Sequence, residues 1–181
     1  MTHRLLAMAC ASMLVVSIAS AQKITKPPKS MNVPARHTKF ISAGGFPIVA
    51  GPAINDYALR EAAYWVNQLL AARPDAKAAM IKSGTRLCII GANEYTCDLP
   101  EFAWLGMGKD IDGVNARDWW DARARGTGGS EEDPYCSVGE ENLLGYTGDP
   151  YAKESILIHE FAHSIHLRGM KVLCRRRAVL V

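Results

Sequence analysis

The sequence predicts an α+β domain in which a small sheet packs against helices and one helix lines a cleft. Three observations carry this. Leu59, Ala62, Ala63, Val66, Leu69 and Leu70 recur at three- and four-residue steps, which places one apolar stripe on a helix. Residues 86–90 form a short apolar run closed by Gly91, the signature of a buried strand. His159-Glu160-Phe161-Ala162-His163 then places polar side chains one helical turn apart within an otherwise apolar segment.

The elements follow in chain order. Arg4 opens a short positive region, residues 5–18 are mostly apolar and uncharged, and Ala19-Ser20-Ala21 fits a small-x-small cleavage pattern. Residues 1–21 are therefore expected to be a secretory signal peptide, cleaved before Gln22, which predicts a secreted, extracellular protein. The run falls short of the ~20 residues a membrane span needs and contains Ser12 and Ser17, so no membrane association is expected after cleavage. Residues 22–39 carry Pro27, Pro28 and Pro34 without a period and read as an extended leader. Gly44-Gly45 marks a turn before a strand around residues 47–49.

Asn55 or Asp56 caps the first helix, which ends before Pro74 because proline disfavours helix for the residue ahead of it. Residues 75–81 make a second, shorter helix stopped at Ser83-Gly84. Residues 93–112 read as irregular, anchored by Phe102, Trp104 and Leu105. A helical turn or two follows around Trp119-Trp120, a pair that either packs in the core or lines a groove. Residues 126–150, rich in Gly, Ser, Asp and Pro, read as loop. Asp149 is the expected cap of the motif helix, with Pro150 in its first turn. Ile156, Leu157, Phe161 and Ile165 spread around that helix, which predicts that it is largely buried. The domain is assigned to residues 40–169, and residues 170–181 form a basic tail.

Composition narrows the function classes. A length of 181 residues suits one domain with a real core. The net charge of +3 is concentrated in Lys171, Arg175, Arg176, Arg177 and Arg4, and the remainder is slightly acidic. That distribution argues against a nucleic-acid partner. Cys88, Cys97, Cys136 and Cys174 follow the signal segment. Cys88 and Cys97 either form a local bridge, or Cys88 is simply a buried strand residue. No C-x-x-C pair exists, which argues against a zinc ribbon or a thioredoxin-type site.

The motif carries the chemistry. Two imidazoles at i and i+4 share one helix face and can reach one ion, here expected to be Zn²⁺. His159 and His163 are the expected metal ligands. Glu160 is the expected catalytic base, taking a proton from a metal-activated water and passing it to the leaving amine. Tyr146 and Tyr151 are near enough in sequence to be weighed as oxyanion donors, although packing is the simpler role for both. His166 shares the stripe, but seven residues of straight helix rise about 10 Å, too far for His159 and His166 to bind one ion.

The stretch His159-Glu160-Phe161-Ala162-His163-Ser164-Ile165-His166 resembles the motif helix of the zincin-type metallopeptidases. It is most similar to the gluzincin branch, and its H-E-F-x-H helix is like that of lethal-factor-like zincin domains. Residues 64–166, including Val138-Gly139-Glu140-Glu141-Asn142-Leu143-Leu144 and Gly148-Asp149-Pro150-Tyr151, resemble secreted proteins grouped with them. The resemblance implies a zincin-like fold, a zinc ion, and hydrolysis of a peptide bond in a peptide or protein substrate. It also implies a third ligand, a glutamate on a later helix. No residue after Glu160 is acidic, so that glutamate has no counterpart and the sequence reads as a domain interrupted after its motif helix. Glu140, Glu141 and Asp149 are the upstream alternatives. A secreted zincin-like binding or structural protein without catalysis is the competing expectation.

Overall fold

The computed structural model describes residues 22–178, and for residues 175–178 the backbone only. The expected signal peptide, residues 1–21, lies outside the described residues. Among the described residues no helix is long and apolar enough to cross a membrane.

The chain is a mixed α+β structure built on a five-stranded sheet among the described residues, in the order β1-β2-β3-β5-β4. Strand β1 (Lys39–Ala43) pairs antiparallel with β2 (Phe46–Ala50) across Gly44 and Gly45, both at positive φ. The expected turn and strand are thus the second half of a hairpin. Helix α1 (Asp56–Leu69) follows, with the Asn55 side chain accepting from the Tyr57 N–H as its cap. Helix α2 (Pro74–Lys82) starts on its proline, and β3 (Arg86–Ile90) then runs parallel to β2.

Two 3₁₀ turns, Thr96–Asp98 and Ala103–Met107, give the irregular segment its form, and α3 (Ala116–Arg123) carries both tryptophans. The stretch expected as loop is instead structured. It contains β4 (Gly126–Thr127), β5 (Tyr135–Gly139) and helix α4 (Glu140–Leu144). Strand β5 pairs parallel with β3, and β4 closes the edge antiparallel to β5. Helix α5 (Ile156–Ser164) holds the motif and continues through a π-helical turn, Ile165–Met170, into α6 (Lys171–Ala178).

Side chains alternate across the strands, so the sheet divides the core in two. On one face Ile41, Phe46, Ile48, Leu87, Ile89, Cys136 and Val138 meet α1 and the inner side of α5. On the other, Val49, Cys88 and Ile90 meet Cys97, Leu99, Phe102 and Leu105 from the irregular segment. Cys88, Cys97 and Cys136 are free and buried, so the Cys88–Cys97 bridge is not formed and Cys88 is a core residue of β3.

The leader is irregular, as its prolines require, but it is tied to the domain. The Thr25 and Phe40 backbones exchange hydrogen bonds at 2.9 and 2.8 Å, and His37 is buried against Glu101.

Candidate metal and catalytic site

Helix α5 is fixed from its buried side. Phe161 packs edge-on against Phe46 of β2, with ring centroids 5.2 Å apart, and Ile156 and Leu157 join the same core. Its start lies later than expected. Ser155, not Asp149, is the cap, its side chain accepting from the Ile158 N–H at 3.3 Å. Asp149 instead closes a turn, accepting from the Tyr151 N–H at 2.9 Å and from the Asn142 side chain at 2.8 Å. Asn142 also accepts from the Ile156 N–H at 2.8 Å and donates to the Tyr151 and Glu154 carbonyls. Sequence reasoning missed this role, since every partner of Asn142 is seven or more residues away.

The outer face of α5 is open, which corrects the expectation of a largely buried helix. Ile156, Leu157, Phe161 and Ser164 point inward, while His159, Ala162 and His163 are exposed and Glu160 is half-buried between them. The two imidazoles stand with ring centroids 5.3 Å apart. One ligating atom from each of His159, Glu160 and His163 lies within 4.8 Å of the others. His166, in the π-helical turn, is exposed and outside this group.

Strand β4 supplies the wall beside these side chains, and glycine makes the approach feasible. A Cβ on Gly128 would meet the His163 Cβ at 2.6 Å and the Glu160 carbonyl at 3.0 Å. One on Gly126 would meet the Glu160 Cγ at 3.1 Å. Gly129 donates its N–H to the Ser164 hydroxyl at 2.9 Å, a further clasp between the glycine stretch and the helix. Burial raises the Glu160 pKa above the usual carboxylate value, while both histidines and the Gly128 N–H pull it back. Such a carboxylate is a stronger base than one in open water.

Glu160 stands between two hollows. A polar one of about 190 Å³ is bounded by Arg123, Tyr151, Glu154 and His159. A second, of about 340 Å³, is bounded by Phe102, Trp104, Leu105, Trp120, Asp133 and the chain at Gly126 and Gly128. Of the two weighed tyrosines, Tyr151 borders the polar hollow and donates its hydroxyl to the Arg123 carbonyl. Tyr146 donates to Glu140 at 3.4 Å.

The upstream acids do not join the histidines, and they are not solvated loop groups. Glu140 is buried and accepts from the Asn55 N–H at 2.7 Å and the Ala92 N–H at 3.3 Å. Glu141 is buried in a two-bond pair with Arg125, at 2.5 and 2.8 Å. Asp149 is held as described above. Each is committed to the scaffold, so none of the three completes a ligand set.

A second group of ligating residue types lies elsewhere. His37, Cys88 and Glu101 are all buried, with atoms within 4.8 Å of one another. His37 Nε2 donates to Glu101 at 2.9 Å, and Arg86 donates to the same carboxylate oxygen at 2.8 Å. The guanidinium already balances the carboxylate, and burial pushes the Cys88 thiol well above its usual value. This group is a charge-balanced network that fastens the N-terminal segment to β3, and a cation has less to gain here than beside the open histidines.

Comparison with protein-family models, with curated proteins and with solved structures finds no match.

Proposed function

We propose that this chain is a zincin-like, zinc-dependent hydrolase of peptide bonds, acting on peptide or protein substrates in a secreted setting. The observation that carries the reading is the open trio on α5. Two imidazoles and a half-buried carboxylate converge within 4.8 Å on the exposed side of a helix otherwise rooted in the core. The donor set fits zinc, because neutral imidazole nitrogens and carboxylate oxygens are its usual partners. His159 and His163 would hold the ion. When bound there, zinc supplies a Lewis acid that polarises a carbonyl and acidifies water.

The chain's own groups do the rest. Glu160 accepts the proton of the attacking water and returns it to the leaving amine. Its basicity is raised by burial. Gly126 and Gly128 let the backbone close tightly against α5 beside Glu160 and His163. The extracellular setting rests on the N-terminal sequence alone.

A second reading is favoured by one specific observation. Glu140, Glu141 and Asp149 are bound into the scaffold, so among the described residues only Glu160 accompanies the two histidines. A site with two histidine ligands suits a zincin-like binding protein that lacks turnover. One variant separates the two. Glu160→Gln should lower hydrolysis of a mixed peptide library by about 10²–10⁴-fold while zinc content is unchanged. Equal cleavage by the variant would remove Glu160 from its role, and zinc binding without cleavage by the parent protein would favour the binding protein.

A further inference from the structure

The larger hollow beside Glu160 has a character that the trio does not explain. Its walls are Phe102, Trp104, Leu105 and Trp120, and its floor is backbone of the glycine stretch. Phe102 and Leu105 belong to the core, so that side is rigid. Trp120 is half-buried and stacks edge-on against Trp119, 5.1 Å between centroids, and Arg123 in turn covers Trp119 at 4.6 Å. Trp104 is 58% exposed and lines the hollow at its rim together with Asp133. The Phe102 and Leu105 side of the wall is therefore set before anything binds.

The polar groups at its edge are already partnered. Asp133 accepts from the Tyr135 N–H at 3.0 Å. The Ser130 hydroxyl accepts from the Asp133 N–H at 2.9 Å and donates to Glu132 at 3.1 Å. Ser130 offers no unused donor, and Asp133 keeps its carboxylate charge at the rim, as does Glu160. Across Glu160 the smaller hollow lacks aromatic walls of this kind and is edged by Arg123 and Glu154. The cleft thus differs on the two sides of its base, with apolar and aromatic walls in the larger hollow and charged side chains of both signs in the smaller.

We propose that the aromatic hollow is a recognition pocket for one large apolar or aromatic side chain of the substrate, adjacent to the bond that Glu160 helps to cleave. The proposal rests on the hydrolase reading for the identity of the substrate, but not for the pocket's chemistry. The volume of about 340 Å³ is at the small end of the range for ligand sites and suits one side chain rather than a whole peptide. Aromatic side chains gain most from such a site, because they bury a large area and meet ring edges and faces favourably. Trp104 and Trp120 are the specificity-determining residues.

The test uses the full zinc-loaded chain and a set of short peptides in which one position at a time carries Phe, Leu, Ser or Lys. The expected result is cleavage next to Phe or Leu at least tenfold better than next to Ser or Lys. Trp104→Ala, an exposed position where loss of the ring spares the core, should erase that preference, with a zinc content equal to the parent's showing that the fold and the histidine site are intact. Trp104→Phe should restore most of the preference. A parallel measurement is binding of the Phe peptides to the zinc-loaded Glu160→Gln variant by calorimetry, against the Ser peptides. Cleavage without an aromatic preference, or a preference untouched by Trp104→Ala, overturns the pocket and leaves the hydrolase standing. Binding of Phe peptides that depends on Trp104, with no cleavage by the parent, keeps the pocket and removes the hydrolase. Neither cleavage nor binding removes both.

Discussion

At Glu101 burial and charge pull in opposite directions. Burial alone would raise its pKa, but the bonds from His37 and Arg86 outweigh it and hold the carboxyl at about 2, against an ordinary value of 4.5. A depressed carboxylate stabilises the fold only while ionised. Its contribution is therefore present above about pH 4.5 and is lost as pH falls toward about 2. Glu101→Gln strands Arg86 and His37 in the core and should cost about 3–5 kcal/mol near neutrality. Urea midpoints at pH 7 and pH 3 check this: the variant should lose less than the parent between the two, and equal losses would deny Glu101 its role. The sequence held no sign of this network, because His37 and Glu101 are 64 positions apart. The trio on α5 was legible for the opposite reason. His159, Glu160 and His163 are brought together by helix geometry alone, which a spacing of one and four residues encodes.

Between elements, the contact that matters most is β4 against α5. The periodic helices and the apolar strand β3 were readable from residue spacing, whereas β4 and β5 were not. Tyr135–Gly139 is five residues long, flanked by turn formers, and its strand character comes from pairing with β3, nearly fifty residues earlier in the chain. The glycines of the 126–129 stretch look like loop residues in isolation, and only the helix lying across them gives them a purpose. The start of α5 was displaced for a similar reason, since Asp149 is consumed by Tyr151 and Asn142 and Ser155 takes over as cap. Gly128 tests the contact. Its φ is not in the left-handed region, so alanine suits the backbone there and acts only through its methyl, which would meet the His163 Cβ at 2.6 Å. Gly128→Ala should therefore shift the imidazole, weaken zinc binding in competition with a chromophoric chelator, and lower hydrolysis by about 10²-fold. Unchanged zinc affinity in a folded variant would show that the glycine stretch after β4 does not position the trio.

Across the molecule, the sheet separates two jobs. The face under α1 and α5 roots the motif helix through Phe161, and the opposite face builds the aromatic segment that reaches round to the cleft. The site forms where these two layers meet at the β4 edge, which brings Glu160 between a charged hollow and an aromatic-walled one. The α+β class and the helix at a cleft were expected from the sequence, and the difference between the two sides of the cleft was not, because its walls come from segments that lack any period. All of this has functional meaning only if the two open imidazoles take up a metal ion. The most direct measurement is the zinc content of the purified chain and of His159→Ala and His163→Ala, by elemental analysis after dialysis. The account requires about one zinc per parent chain and its loss in each variant, with Glu160→Gln still loaded. A parent free of zinc in zinc-supplemented buffer, or zinc that persists in both histidine variants, would contradict it.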